Sequence, residues 1–146
     1  MLNPDDSYLV YTDGSCYTGD RIGSWAWVAI DGDDNEVMGG GVNRDTTISR
    51  MELLGPIDAL ETIYDDCGPS TILVYSDSEY VVLGITNRRR QRKKNNDLWD
   101  WLDEVVDAHE HVEFEHVRGH SGDYYNELVD REAHRLRKEA QCNAIS

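Results

Sequence analysis

The chain of 146 residues has little cysteine and no long apolar run. Its three cysteines, Cys16, Cys67 and Cys142, are an odd number without CxxC or zinc-finger spacing, which argues against a disulfide framework and a structural zinc site. No stretch approaches the ~20 apolar residues of a membrane-spanning helix, and the first residues lack the basic and apolar regions of a signal peptide. We therefore expect a cytoplasmic protein without a membrane partner.

Positive charge is also scarce. The 29 acidic residues stand against 14 lysines and arginines, so the formal net charge is −15 and the isoelectric point is near 4.5. Such a surface as a whole repels nucleic acids and anionic membranes. Because the acids are scattered along the chain and salt screens their mutual repulsion, we hypothesise adaptation to high intracellular salt, with ordinary acidic drift as the alternative.

The hydrophobic pattern indicates one domain of the α/β class. Three strand-like runs separated by Gly and Asp clusters predict an antiparallel meander, and helical and strand-like segments alternate after it. This order predicts a sheet that mixes antiparallel and parallel strands. The length suits a single domain over 1–146, with its core at about 8–140. The predicted strands are 8–12, 24–30, 36–42, 71–75 and 112–117, and the predicted helices are 49–64, 79–85, 97–108 and 126–140.

Two acidic residues stand where core strands end. Asp13 closes the first strand-like run, and Asp77 follows the apolar run 71–75. Ligands of α/β sheets gather at the carboxyl ends of strands, so these carboxylates can converge although they lie 64 positions apart. Converging carboxylates repel each other unless a cation intervenes, and hard Mg²⁺ takes oxygen ligands of this kind. The alternative for each aspartate is a turn or helix-cap residue.

Two further acidic residues have an ordinary structural interpretation, whereas one histidine has a chemical one. Glu52 has the spacing of a capping box with Ser49, and Asp130 lies beside the apolar stripe of the last helix, where a surface acid is ordinary. His120 alone among the five histidines falls in a glycine-flanked loop, which suits a side chain that moves protons near neutral pH. The other histidines are interpreted as surface or strand residues.

Five short motifs resemble, in the same order, those of type 1 ribonuclease H over about residues 8–140. The resemblance implies a ribonuclease H-like fold of the α/β class, a five-stranded mixed sheet flanked by about four helices. It also implies a metal-dependent endoribonuclease that cleaves the RNA strand of RNA/DNA hybrids by two-metal-ion hydrolysis and leaves 5′-phosphate and 3′-hydroxyl ends. The motifs are YTDGSC (11–16), RMEL (50–53), SDSEYV (76–81), VRGHSG (117–122) and NELVD (126–130).

The same resemblance implies roles for individual residues. His120 would assist proton transfer or product release, and water activated on one metal would attack the scissile phosphate in line. Two Mg²⁺ ions, or Mn²⁺ in their place, would be held by Asp13, Glu52, Asp77 and Asp130.

A basic segment and two polar residues are expected to contact the substrate. By resemblance, the positive side chains bind hybrid phosphates, and Thr47 and Asn95 fall in a pocket for a phosphate of the DNA strand. The alternatives are a solvated charged loop and polar turn residues. Only ten residues separate Thr86 from Asp97, which together with the acidity suggests a compact, haloarchaeal form without the long basic handle. The basic residues are Arg88, Arg89, Arg90, Arg92, Lys93 and Lys94.

Three positions depart from the family pattern, all in the hybrid-reading surface. Ile48 stands where Asn is common, Glu79 where Gln is common, and Arg88 where an aromatic side chain occurs. Because Ile cannot hydrogen-bond a ribose 2′-hydroxyl and Glu can only accept, discrimination for hybrids can be altered. The alternatives to a hybrid ribonuclease are therefore a DNA-directed nuclease and an inert nucleic-acid-binding domain of the same fold. No obligate protein partner is evident, and we expect a monomer.

The four tryptophans are tempting platforms for base stacking. Trp25 and Trp27 are spaced to lie on one face of a strand, and Trp101 falls on the apolar stripe of a helix. We therefore expect these side chains, with Trp99, to pack in the core rather than against bases.

Overall fold

The computed structural model describes residues 1–87, 92–118 and 123–145. Within these ranges five strands and four helices follow the predicted order, and no helix there combines the length and apolarity needed to cross a membrane. The strands are β1 (Ser7–Cys16), β2 (Gly23–Ile30), β3 (Glu36–Asn43), β4 (Thr71–Ser76) and β5 (His111–His116). The helices are α1 (Ile48–Cys67), α2 (Glu79–Thr86), α3 (Asn96–Ala108) and α4 (Tyr124–Ile145).

The strands form one mixed sheet with the order β3-β2-β1-β4-β5. β2 pairs antiparallel with both β1 and β3, which gives the predicted meander. β4 runs parallel to β1 and to β5, and parallel neighbours need crossovers, which α1 and the pair α2 and α3 supply. The predicted α/β class with a five-stranded mixed sheet is therefore confirmed, and the carboxyl ends of β1 and β4 lie at the same edge.

Apolar side chains cover both faces of the sheet. On one face Val74 of β4 is buried in the same cluster as Leu60 of α1. On the other face Val28 of β2 packs in a smaller cluster with Val129 of α4. Burying a large aliphatic side chain contributes roughly 1.5–3 kcal/mol, so these layers fix α1 and α4 against the central strands.

Helix α1 begins at Ile48, and its N-cap is Thr47, whose hydroxyl accepts a hydrogen bond from Arg50 N at 3.4 Å. The cap position therefore belongs to Thr47 and not to Ser49. The capping-box alternative for Glu52 does not hold, because its carboxylate accepts a hydrogen bond from a different element, described below.

Three of the tryptophans are buried or half-buried, as expected, and one is not. Trp25 and Trp27 share a face of β2, and both indole N–H groups donate to Asp58 Oδ2 at 3.0 and 2.9 Å. Trp99 is buried at 1% exposure. The prediction for Trp101 is wrong, since its side chain is 41% exposed at the edge of the α1–α3 contact.

Candidate active site

Asp13 lies against helix α1 because the backbone of the following residue, Gly14, packs closely on the backbone of that helix. Asp13 lies in β1 with 7% exposure, and its Oδ1 accepts a hydrogen bond from Gly14 N at 2.8 Å. A Cβ at Gly14 would lie 2.7 Å from the backbone nitrogen of Glu52 and 2.8 Å from the carbonyl carbon of Met51. Only glycine fits such a contact, so Gly14 lets the turn of α1 that carries Glu52 lie directly against the strand of Asp13.

Asp77 reaches the same edge of the sheet from β4. The parallel register of β1 and β4 places Thr12 opposite Ser76. The residues that follow this pair are Asp13 and Asp77, so the register carries both carboxylates to neighbouring positions although 64 positions separate them in sequence.

Ser78 connects the turn after Asp77 to helix α1. Its hydroxyl accepts a hydrogen bond from Val81 N at 3.2 Å, which caps α2, and it also donates to Glu52 Oε2. One side chain therefore starts α2 and holds the Glu52 carboxylate beside the end of β4.

Asp130 arrives from α4, which packs on the opposite face of the sheet. Its carboxyl group is half-buried and lies close enough to Asp13 to raise the pKa of that residue. The neighbouring His134 donates from Nδ1 to the carbonyl oxygen of Asp130 at 2.8 Å and lies 3.4 Å from its Oδ1. The structure thus brings the four predicted carboxyl groups to one edge of the sheet.

The negative charge at this edge, which we call the carboxylate cluster (Asp13, Glu52, Asp77 and Asp130), is poorly compensated. Burial is the main cause that raises the pKa of Asp13 to about 9, and the charges of Asp77 and Asp130 raise it further. Burial also raises the pKa of Asp77 and that of Glu52. At neutral pH the cluster therefore favours the uptake of a proton or of a cation.

The donor set fits hard divalent cations, which prefer carboxylate oxygens. Across residues 1–87, 92–118 and 123–145, no three side chains of the His, Cys, Asp and Glu types lie close enough together to hold one metal ion between them. Mg²⁺ usually keeps several waters and takes only one or two carboxylates from the protein. Asp13 is near enough to Asp77 and to Asp130 for their charges to raise its pKa, so one or two carboxylates are available to each ion.

Thr47 and Asn95 lie close together through Ser49. The Ser49 hydroxyl is 3.3 Å from Thr47 Oγ1 and accepts a hydrogen bond from Asn95 Nδ2 at 3.1 Å. Asn95 has a left-handed backbone conformation with φ of 61°, and its Oδ1 accepts from Arg50 Nη1 at 3.3 Å. The predicted pocket residues therefore form one polar group at the start of α1.

Arg92 is not placed as the sequence predicts. Its guanidinium forms a two-point ion pair with Asp103, with distances of 2.6 and 2.9 Å, and lies 4.4 Å from the centre of the Trp99 ring. Its Nε donates to the carbonyl oxygen of Gly84 at 2.9 Å, and the side chain is 12% exposed. These contacts use the guanidinium within the fold, so Arg92 is a structural anchor and not an exposed phosphate contact.

Lys93 and Lys94, which follow this anchor, are exposed. The other predicted members of the basic segment, Arg88, Arg89 and Arg90, lie outside the described residues, as does His120.

Sequence reasoning missed two residues that organise this region. Ser78 hydrogen-bonds Glu52, a contact that its place in the motif does not indicate. Tyr80 accepts hydrogen bonds at its hydroxyl from Asn95 Nδ2 at 3.1 Å and from Trp99 Nε1 at 3.0 Å, and donates to the carbonyl oxygen of Lys94 at 3.3 Å. Both residues lie in the motif after Asp77, so the motif marks them without revealing what they contact.

Comparison with known proteins agrees with this geometry. The family model described as RNase H matches residues 5–138. Ribonuclease H of Neorickettsia sennetsu is 40% identical and Ribonuclease HI of Pseudomonas aeruginosa 39%, each over 92% of this chain and over 93% and 95% of the relative. The crystal structure of LC9-RNase H1, a type 1 RNase H with the type 2 active-site motif, superposes with a TM-score of 0.79 at 25% identity, covering 94% of this chain and 74% of that one.

The superposition on LC9-RNase H1 defines the class of the fold, which is ribonuclease H-like. The extent of the family match and the identity of the relatives go further: the chain belongs to the RNase H family. The prediction that it is an enzyme, a ribonuclease H that acts as an endonuclease, is thereby confirmed.

Proposed function

We propose that the protein cleaves the RNA strand of RNA/DNA hybrids by two-metal-ion hydrolysis and leaves 5′-phosphate and 3′-hydroxyl ends. The observation that supports this most directly is the carboxylate cluster, in which burial and mutual repulsion raise the pKa of Asp13 to about 9. A fold that holds like charges together in this way is set up to bind cations and, through them, a phosphate.

The residues of the cluster have distinct parts in the proposed site. Asp13, Glu52, Asp77 and Asp130 would hold Mg²⁺ or Mn²⁺, which supplies Lewis acidity and lowers the pKa of bound water. Ser78 orients the Glu52 carboxylate by its hydrogen bond. His120 is proposed to transfer a proton or to assist product release.

Substrate binding is assigned to polar and positive side chains beside the cluster. Exposed Lys93 and Lys94 suit contacts to phosphates, and Thr47 with Asn95 suits a phosphate of the DNA strand. Arg88, Arg89 and Arg90 are proposed to extend the same basic surface.

Selectivity for the hybrid rests on residues at two helix starts. Ile48 begins α1 next to Thr47 and is 44% exposed, and Glu79 begins α2 and is also exposed. Neither side chain can donate a hydrogen bond to a ribose 2′-hydroxyl. This observation keeps a DNA-directed activity of the same site as the second candidate function.

A cleavage assay on labelled nucleic acids decides between these functions. Wild-type protein is incubated with hybrid, duplex RNA and duplex DNA, in Mg²⁺, in Mn²⁺ and in excess chelator, and the product ends are identified. We expect cleavage of the RNA strand of the hybrid only, dependent on metal, with 5′-phosphate ends. Cleavage of duplex DNA would support the second candidate, and no cleavage of any substrate would support an inert binding domain.

We further propose that the protein is a single-domain, cytoplasmic monomer of compact haloarchaeal type, adapted to high salt. The formal charge of −15 supports the last point, because salt screens repulsion between surface carboxylates. The melting midpoint of the metal-free protein should accordingly rise between 0.1 M and 2 M KCl. An equal or lower midpoint in 2 M KCl would contradict adaptation to salt and leave the nuclease proposal intact.

A further inference from the structure

Helix α4 differs in charge from the other long helices. It carries four lysines and arginines and four acidic residues, whereas α1 has one against five and α3 has none against five. The basic residues of α4 are moreover not spread evenly around the helix. A groove of about 520 Å³ on its surface is lined by Asp130, Arg131, His134, Arg135 and Lys138. On a strongly acidic chain, this groove has only one acidic residue in its lining.

Two basic residues of α4 have evident structural partners. Arg135 forms ion pairs with Glu132 at 2.6 Å and with Glu139 at 2.9 Å along the same helix. Arg137 donates from Nε to Ser15 Oγ at 2.7 Å, which ties α4 to β1. These arginines are accounted for by the stability of the helix and its packing.

Arg131 and Lys138 have no such role. Both side chains are exposed, and no carboxylate in the part of the chain that the structure describes forms an ion pair with either. An exposed, unpaired cation adds little to folding stability. On a helix with as many basic as acidic residues, Arg131 and Lys138 are therefore available to an anionic ligand.

The position of the groove beside the carboxylate cluster favours one kind of anion. Arg131, His134 and Lys138 are spaced at i, i+3 and i+7, so they line one face of the helix. Asp130 stands at the start of the groove and belongs to the carboxylate cluster. From Asp130 to Lys138 the helix rises about 12 Å, which is about three to four nucleotides at roughly 3.4 Å per nucleotide of one strand.

We propose that this groove on α4 binds backbone phosphates of the RNA strand beside the scissile phosphate, through Arg131 and Lys138. The inference rests on the proposed function, because the scissile phosphate of a strand cleaved at the cluster would lie beside Asp130, where the groove begins. The groove is separate from the basic segment, whose described lysines lie between α2 and α3. The protein would thus hold its substrate at two separate positive surfaces.

The test compares two double variants that remove the same charge from different places. Arg131→Gln with Lys138→Gln removes the unpaired cations of the groove, and Lys93→Gln with Lys94→Gln is the matched control in the basic segment. We expect the groove variant to raise KM for the hybrid about tenfold with little change in kcat, since phosphate contacts bind ground and transition states alike. The slope of log affinity against log salt should flatten by about 1.4 to 1.8 for two lost contacts.

Hybrids with single neutral methylphosphonate linkages then locate the contacts. Each linkage in the RNA strand near the cleavage site, and each in the DNA strand, is neutralised in turn, and the loss of affinity is measured for wild type and both variants. A linkage that touches the groove should weaken wild type and leave the groove variant unaffected. The control variant should lose its sensitivity at a different set of linkages.

Three results would overturn the proposal. Equal affinity and equal salt slopes for wild type and groove variant would show that the groove binds no phosphate. Identical linkage profiles for both double variants would show a general effect of charge, and insensitivity confined to the DNA strand would exclude the RNA strand. Because affinity is also measured by fluorescence anisotropy in chelator, the groove is tested even if wild type cuts no hybrid, a result that would refute the proposed function alone.

Discussion

The carboxylate cluster and Arg92 of the basic segment differ in how the fold compensates their charges. In the cluster, backbone geometry forces like charges together: Gly14 brings β1 against α1, and the β1–β4 register aligns Asp13 with Asp77. In the basic segment, by contrast, Arg92 forms an ion pair with Asp103 and its guanidinium packs on the ring of Trp99. The charge of Arg92, which stabilises the fold, has a partner of opposite sign. The carboxylates of the cluster are poorly compensated and are available to a ligand.

The largest effect is expected from neutralising the cluster. Asp13→Asn keeps the shape of the side chain but removes a charged ligand, so kcat should fall by roughly 10⁴-fold or more. Stability without metal should stay equal or rise, because a source of repulsion is gone. Cleavage rates and chemical denaturation of the same preparation check both points. Turnover like that of wild type would remove Asp13 from the site.

The opposite pattern is expected at the anchor. Arg92→Gln leaves the half-buried Asp103 without its partner, and losing these charge-assisted hydrogen bonds should cost roughly 1.5–3 kcal/mol of unfolding free energy. Lys93→Gln, at an exposed neighbour, should change stability by less than about 0.5 kcal/mol. Urea unfolding measures both variants.

A pair of acidic variants provides the control for that comparison. Asp103→Asn and Asp100→Asn remove the same charge from α3, yet only Asp103 contacts Arg92. Asp103→Asn should therefore destabilise the fold and Asp100→Asn should not. Equal stability of the two would show that the ion pair contributes nothing to the fold and would contradict the role of Arg92 as a structural anchor.

A smaller effect concerns the pH dependence of stability without metal. The pKa of Asp13 is raised from 3.8 to about 9 in the folded protein by burial and by its acidic neighbours. The stabilising contribution of its protonated form is thus complete below pH 3.8 and is lost as the pH rises through about 9. Metal-free wild type should therefore lose stability progressively between roughly pH 5 and pH 9.

The variant Asp13→Asn is the control for this dependence. It should show a flatter stability curve in the same window, because the group that titrates is absent. The hydrogen bond from Arg50 lowers the pKa of Asp97 to about 2, so that ion pair titrates below the window. Parallel curves for wild type and variant would mean that other groups cause the dependence.

The sequence predicted those parts of the molecule that depend on periodicity and strand ends. Asp13 and Asp77 could be placed together because each follows an apolar run of the sequence and the two strands run parallel, although β1 continues past Asp13 to Cys16. The link from Ser78 to Glu52 could not be predicted, since it depends on how closely α1 approaches the turn after β4. Nor does sequence distinguish Arg92 from Lys93, because the distinction lies in contacts with α3.

Histidine burial shows the same limit. The sequence suggests that His109 is a surface or strand residue, but this is wrong, since His109 is only 7% exposed at the end of α3. Its Nδ1 accepts a hydrogen bond from Ser70 N at 3.1 Å, and its Nε2 donates to the carbonyl oxygen of Leu60 at 2.8 Å. The residues around His109 in the sequence do not indicate these partners, because both come from distant parts of the chain.

The most direct test is the melting midpoint of metal-free wild type and Asp13→Asn before and after addition of Mg²⁺, with KCl of equal ionic strength as the reference for screening. If unsatisfied carboxylates form a cation site, Mg²⁺ should raise the midpoint of wild type above that in matched KCl, because binding to the folded state alone stabilises it. The variant should show the smaller rise that screening explains. Equal rises in both proteins would contradict a cation site built around Asp13.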